Sequence, residues 1–243
     1  MLDDFDQARF VEMFGEVGRN SKGFPILFMT EVCEIIDGDR GKNYPKQDEF
    51  LEAGYCLFLN AKNVTASGFS LNKCMFITKE KDKILRNGHL DRGDVVLTTR
   101  GTIGNLAYYD DSIPYENVRI NSGMVILRMR HNIMSELFFI EQFKMQMASI
   151  KEKIASGSAQ PQLPISTMNK IRMLIPSVEE QTQFTAFVRQ VDKLKSVKQN
   201  KESYMNLRSR NERFYRTNSG LKVFRLGKQE KLTRNARLFS KSI

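Results

Sequence analysis

Between Val178 and Thr217 the chain runs for 40 residues without a glycine or a proline. A stretch that long, free of the two residues that break helices, reads as one helix. Pro176-Ser177-Val178-Glu179-Glu180 marks its start, since Ser177 can accept from a backbone N–H of the first turn and Glu180 can reach back to Ser177. Ending near Arg216, at about 1.5 Å per residue, the rod is roughly 55–60 Å long. Phe184, Phe187, Val191 and Leu194 follow the 4–3 spacing of a coiled coil, and Tyr204, Leu207 and Phe214 resume it after a polar interruption that holds Lys198 and Lys201. A domain smaller than the rod cannot cover its whole face, and the only other helix candidate without a domain role is a short N-terminal stub. The seam therefore predicts an intermolecular partner, the alternative being a helix folded back on its own domain.

The rest of the chain has a different grain. Phe5, Phe10, Val11, Met13 and Phe14 sit among charges and Gly15 follows, which reads as the end of a helix. From about Pro25 to Arg130, short β-rich runs at 32–36, 55–59, 74–78, 94–99, 106–109 and 124–127 alternate with Gly, Asn and Asp clusters. A short helix is predicted at 80–86, closed by Asn87-Gly88, and a longer one at 135–155, where apolar residues recur every two to four positions. A short helix near 167–170 and a strand at 172–175 follow. The fold class is α+β: an N-terminal helix stub at 1–15, a β-rich domain with a few helices at 16–176, the long coiled-coil-like helix at 177–216, and a basic tail at 217–243.

The formal net charge of +10 points to a polyanionic partner, but its distribution matters more than its size. The tail carries seven basic residues and one acidic, whereas 16–176 carries 21 and 18. No apolar run approaches the roughly 18 residues of a membrane span. Three unpaired cysteines, Cys33, Cys56 and Cys74, with two histidines make a zinc site improbable and read as reduced thiols of a cytoplasmic protein. No metal ligand set and no catalytic residues are expected. The sequence holds no G-x-x-x-x-G-K-[ST], no G-x-G-x-x-G, no H-E-x-x-H and no N-P-P-[YF] or D-P-P-[YF].

Four loops carry side chains suited to nucleic acid. They are 37–45, with Arg40, Lys42 and Asn43; 60–63, with Lys62 and Asn63; 98–105, with Arg100, Thr102 and Asn105; and 119–123, with Arg119 and Asn121. Glycines let backbone approach a phosphate, Lys and Arg neutralise it, and Arg on guanine or Asn on adenine are favoured base contacts. Each loop alone has an ordinary turn reading. Four in one domain, joined to a helix that wants a partner, suggest a DNA reader, against the alternatives of a coiled-coil adaptor whose β-rich domain binds protein, or a nuclease or methyltransferase fragment.

The chain resembles the specificity subunit of type I restriction-modification systems, in a single-domain, half-subunit form. The resemblance rests on Arg9–Gly15, on Gly93–Gly104 (GDVVLTTRGTIG), on Ile120–Arg128, on the Ser156–Leu163 turn (SGSAQPQL), and on Ile175–Gln181 (IPSVEEQ) opening the long helix. It implies a non-catalytic subunit that reads one half of a split double-stranded DNA target, with Ser158 and Gln160 added to the DNA-facing set. It also implies that the long helix docks methyltransferase and restriction subunits, and that S-adenosylmethionine sits on the methyltransferase rather than on this chain. Since the family's usual subunit has two recognition domains, the half-subunit form implies a homodimer or pairing with another half.

Overall fold

The computed structural model describes residues 2–130, 132–155 and 161–217. The chain divides after Val191 into two compact units.

In the first unit, α1 (Leu2–Phe14) ends where the Gly15 N–H donates to the Val11 carbonyl at 2.8 Å. A strand β1 (Ile26–Phe28) and a single turn α2 (Met29–Val32) lead into β2 (Cys33–Asp37). Next come β3 (Cys56–Leu59), a hairpin of β4 (Val64–Thr65) and β5 (Gly68–Phe69), β6 (Phe76–Ile77) and α3 (Lys79–Ile84). The strands β7 (Val95–Thr98), β8 (Leu106–Tyr108), β9 (Val118–Ile120) and β10 (Met124–Met129) follow, then α4 (Glu136–Ala155), α5 (Ile165–Met168) and β11 (Arg172–Leu174). The helix α6 (Val178–Thr217) closes the described chain.

The central sheet is antiparallel in the order β2-β10-β7-β8, and a second sheet, β6-β3-β9, pairs β3 with β9 in parallel. All four residues of β7 are buried, which explains a continuous apolar run rather than an alternating one: the central sheet is covered on both faces. Side chains of period two sort onto those faces. Val95, Leu97, Val125 and Leu127 join the helices in one core, while Val96, Met124 and Ile126 meet Leu57, Leu59, Val118 and Ile120 of the second sheet in another.

The helical core corrects one expectation. Phe184, at 0% exposure, closes a cluster with Phe10, Phe14 and Phe138 at ring-centroid distances of 5.5, 5.5 and 5.9 Å. Val188 and Val191 are buried too. Phe184 and Val191, read as an intermolecular seam, are instead intramolecular core, and Phe187 is half-buried with the Arg9 guanidinium 5.9 Å from its ring. Apolar 4–3 spacing does not tell a coiled-coil partner from α1 and α4 packed on the same face.

The predicted start of α6 is as expected: the Ser177 N–H donates to Glu180 Oε2 at 2.9 Å, and the Glu180 N–H donates to Ser177 Oγ at 3.3 Å. Gln181 adds a buried tie, accepting from the Ser135 N–H and donating to the carbonyls of Ile133 and Pro176, each at 3.0 Å. In the second unit, which begins at Asp192, Leu194 is 61% and Val197 66% exposed, and Tyr204 and Met205 are also exposed. The side chains of Leu207 and Phe214, and the basic tail, lie outside the described residues. Among the described residues no helix is long and apolar enough to cross a membrane, and no group of three or more metal-ligating side chains occurs.

Candidate nucleic-acid interface

Two of the four loops, 37–45 and 98–105, line one cleft together with the stretch after residue 160, and the 119–123 loop braces both through the Ser122 and Gly123 carbonyls. The first follows β2. Gly38 there packs so closely on the next loop that a Cβ would overlap the carbonyl oxygen of Asn121. Asp39, buried, accepts from the backbone N–H of Gly41 at 2.6 Å and from that of Arg86 at 2.7 Å, tying this loop to the end of α3. Burial pushes the Asp39 carboxyl up, but the N–H donors of Gly41 and Arg86, the Arg86 guanidinium and the Asn87 N–H outweigh it and hold the group below the ordinary carboxylate range. The anchored loop leaves Arg40 and Lys42 exposed.

The turn between β7 and β8 is fixed from both sides. Gly101 and Gly104 take positive φ, +71° and +90°, which closes it without strain. The Gly123 carbonyl accepts from the backbone N–H groups of Thr99 and Arg100, at 2.9 and 3.2 Å, and from Thr99 Oγ1 at 3.0 Å. The Leu163 N–H donates to the Thr99 carbonyl at 2.9 Å, and Arg100 pairs with Gln162 in an antiparallel bridge. The cleft enclosed, about 220 Å³, has Arg40, Arg100, Asp37 and Gln162 around an apolar floor that includes Val125 and Leu163. Arg40 is held there by Nη2 donating to Asp37 Oδ1 at 3.0 Å and to the Ser122 carbonyl at 3.2 Å.

Several residues read as DNA contacts serve the scaffold instead. Arg119 is not in a loop but in β9, 6% exposed, where its guanidinium pairs with Asp82 of α3 and donates to the carbonyls of Asn87 (2.8 Å), Asp82 (2.9 Å) and Leu85 (3.3 Å). Asn63, 1% exposed, donates to the carbonyls of Ser70 and Lys73 and accepts from the Asn60 N–H. Both are removed from base contact by burial. Asn105, Asn43 and Asn121 are half-buried and already engaged, with the Val64 carbonyl at 2.9 Å, the Ile84 carbonyl at 3.2 Å and the Gly123 N–H at 2.9 Å respectively.

Arg40, Lys42, Lys62, Arg100 and Thr102 remain exposed; Ser158 and Gln160 lie outside the described residues. Two exposed residues were missed by the sequence reading. Arg86, 3.9 Å from the Asp39 carboxylate, sits just before the Asn87-Gly88 turn, and Gln162 is the second glutamine of Gln-Pro-Gln. Both lie in stretches the sequence marks, the Asn87-Gly88 turn and the Ser156–Leu163 motif, although neither side chain was singled out there.

The same arrangement of elements recurs in solved proteins. One is a chain from a structure addressing complex assembly and conformational transition of the type I R-M system, 15% identical with a TM-score of 0.56 over 84% of this chain and 50% of that one. The type I restriction-modification S subunit from M. genitalium is 20% identical, TM-score 0.53, over 86% and 49%. The HsdS subunit from Thermoanaerobacter tengcongensis is 14% identical, TM-score 0.55, over 81% and 46%. At such identities the likeness establishes the fold, and the chain spans about half the length of each. No curated protein matches the chain. The family model described as the type I restriction modification DNA specificity domain matches residues 22–204, well over half the chain. The protein belongs to that family.

Proposed function

We propose that this chain is the DNA-reading part of a type I restriction-modification complex, recognising one half of a bipartite duplex target. The observation that carries the reading is that Arg40 and Arg100, both exposed, line one cleft of a specificity domain, with exposed Lys42 in the same loop as Arg40 and exposed Arg86 3.9 Å from Asp39 of that loop. Lysine and arginine there neutralise phosphates and set register, while side chains reaching into the groove read base edges. Another copy or another half is the partner of this chain. It pairs through the part of α6 that leaves Leu194, Val197, Tyr204 and Met205 exposed, and not through the buried Phe184. The methyltransferase and restriction subunits dock along the same helix, and methyl transfer from S-adenosylmethionine belongs to the methyltransferase.

The test is co-expression with the modification subunit followed by mapping of methylated sites. Methylation confined to a split sequence, one half of which changes when loops 37–43 and 98–105 are exchanged, is the expected result. Failure of the chain to bind any duplex at low salt overturns the reading and favours a protein-binding adaptor.

A further inference from the structure

Arg40 and Arg100 border the same cleft but differ in what they have left to offer. Both Nη2 contacts of Arg40 go to Asp37 and the Ser122 carbonyl. Among the described residues the Arg100 guanidinium makes no hydrogen bond and no ion pair, although its backbone is pinned to Gly123 and bridged to Gln162. The Gln162 amide likewise has no partner among the described residues, and both side chains are exposed. The Asp37 carboxylate in the same cleft is paired with Arg40, which leaves the Arg100 fork as the cation free to meet a base edge.

Directly opposed residues of an antiparallel bridge project to the same side with Cβ atoms about 4.5–5.5 Å apart. That is close to the rise of about 3.4 Å between stacked base pairs, and the difference is within reach of two flexible side chains. A free guanidinium fork matches O6 and N7 of guanine, and a glutamine amide, one donor and one acceptor, matches N6 and N7 of adenine.

We propose that Arg100 and Gln162 form a paired reader of two adjacent base pairs in the major groove, with Arg100 on a guanine and Gln162 on the neighbouring adenine. Arg40, fixed by Asp37, is the wall that positions the duplex beside them. The inference rests on the DNA-reading function proposed above and names the bases that this part of the site takes.

The experiment is selection of randomised duplexes by the full chain, with sequencing of the bound fraction. The wild type is expected to enrich a G·C pair beside an A·T pair. Arg100→Ala loses discrimination at the first position alone and Gln162→Ala at the second alone, by roughly 5- to 150-fold each. Gln162→Glu shifts the second position toward cytosine, whose N4 amine an acid accepts from, and Gln162→Ala leaves the salt dependence of binding unchanged because no phosphate contact is lost. A wild type that enriches no sequence overturns both the inference and the DNA-reading function. A wild-type preference that survives both substitutions, or uniform weakening across all duplexes, overturns the pairing alone.

Discussion

Replacing Phe184 by alanine separates the two roles available to the start of α6. The ring is fully buried and makes three nearly perpendicular contacts, at interplanar angles of 83°, 82° and 86°, with Phe10, Phe14 and Phe138. Exposing a buried side chain of this size forfeits about 1.5–3 kcal/mol of transfer energy. The cavity left among three rings that cannot all collapse inward raises the loss to about 3–5 kcal/mol. Edge-to-face aromatic pairs add about 0.5–1.5 kcal/mol each beyond area, which places the expected value in the upper part of that range, about 4–5 kcal/mol. With a urea slope of about 2–3 kcal/mol/M, the unfolding midpoint moves down by about 1.3–2.5 M. The assay is urea unfolding at two protein concentrations, with Leu194→Ala as comparison. Leu194 is 61% exposed and lies on the face proposed to pair, so its truncation stays within about 0.5 kcal/mol for the unpaired chain and its effect follows concentration where the chain pairs. A core contact gives a midpoint shift independent of concentration, whereas a subunit seam gives one that grows on dilution. A shift below about 0.5 M, or one that follows concentration, refutes the assignment of Phe184 to the domain core.

Arg119→Ala strands the buried Asp82 carboxylate and is expected to cost about 3–5 kcal/mol, while the double variant Arg119→Met/Asp82→Asn recovers much of the loss; denaturation midpoints measure both. Asp39, whose pKa lies below its ordinary 3.8, binds fewer protons folded than unfolded as acid is added. Its contribution is present in full above that value and disappears as pH falls through the folded pKa, so the melting temperature of Asp39→Asn declines less steeply below about pH 4 than the wild type's. Parallel profiles would contradict the linkage. Burial pushes the Cys33 and Cys56 thiols up to about 12, so at pH 8 a disulfide reagent reacts with neither in the native protein and with both on unfolding.

The start of α6, the β-rich runs and the loop glycines were legible because each depends on neighbours in sequence. The misread positions depended on partners far away. Arg119 in a run ending Asn-Ser-Gly looks like a loop cation, and only Asp82, 37 residues upstream, makes it a core residue. Asparagine was misread for a chemical reason: the amide that can address adenine also closes turns by bonding nearby backbone. Asn63 and Asn121 do the latter, while Asn105 spends its amide on the Val64 carbonyl of another segment. The apolar face of α6 was recognised, but its occupant was not. Nothing in the spacing of Phe184 and Val191 says that α1 and α4 already fill it.

The loop face is built from two classes of side chain. Side chains that turn inward, Asp39, Asn63, Asn105 and Arg119, bond backbone groups of other loops, so each fixes the position of a segment it does not belong to. Side chains that turn outward, Lys42, Arg100 and Gln162, make no hydrogen bond or ion pair among the described residues. Losing an inward group leaves a buried donor or acceptor unmatched, at about 1–3 kcal/mol or more for a charge. Losing an outward one changes surface only, within about 0.5 kcal/mol. Arg40 stands between the two classes, exposed yet bound to Asp37 and Ser122. Substitution of Arg100 or Gln162 can therefore change what the face binds without disturbing how it is held. Substitution of Arg40 alters both at once.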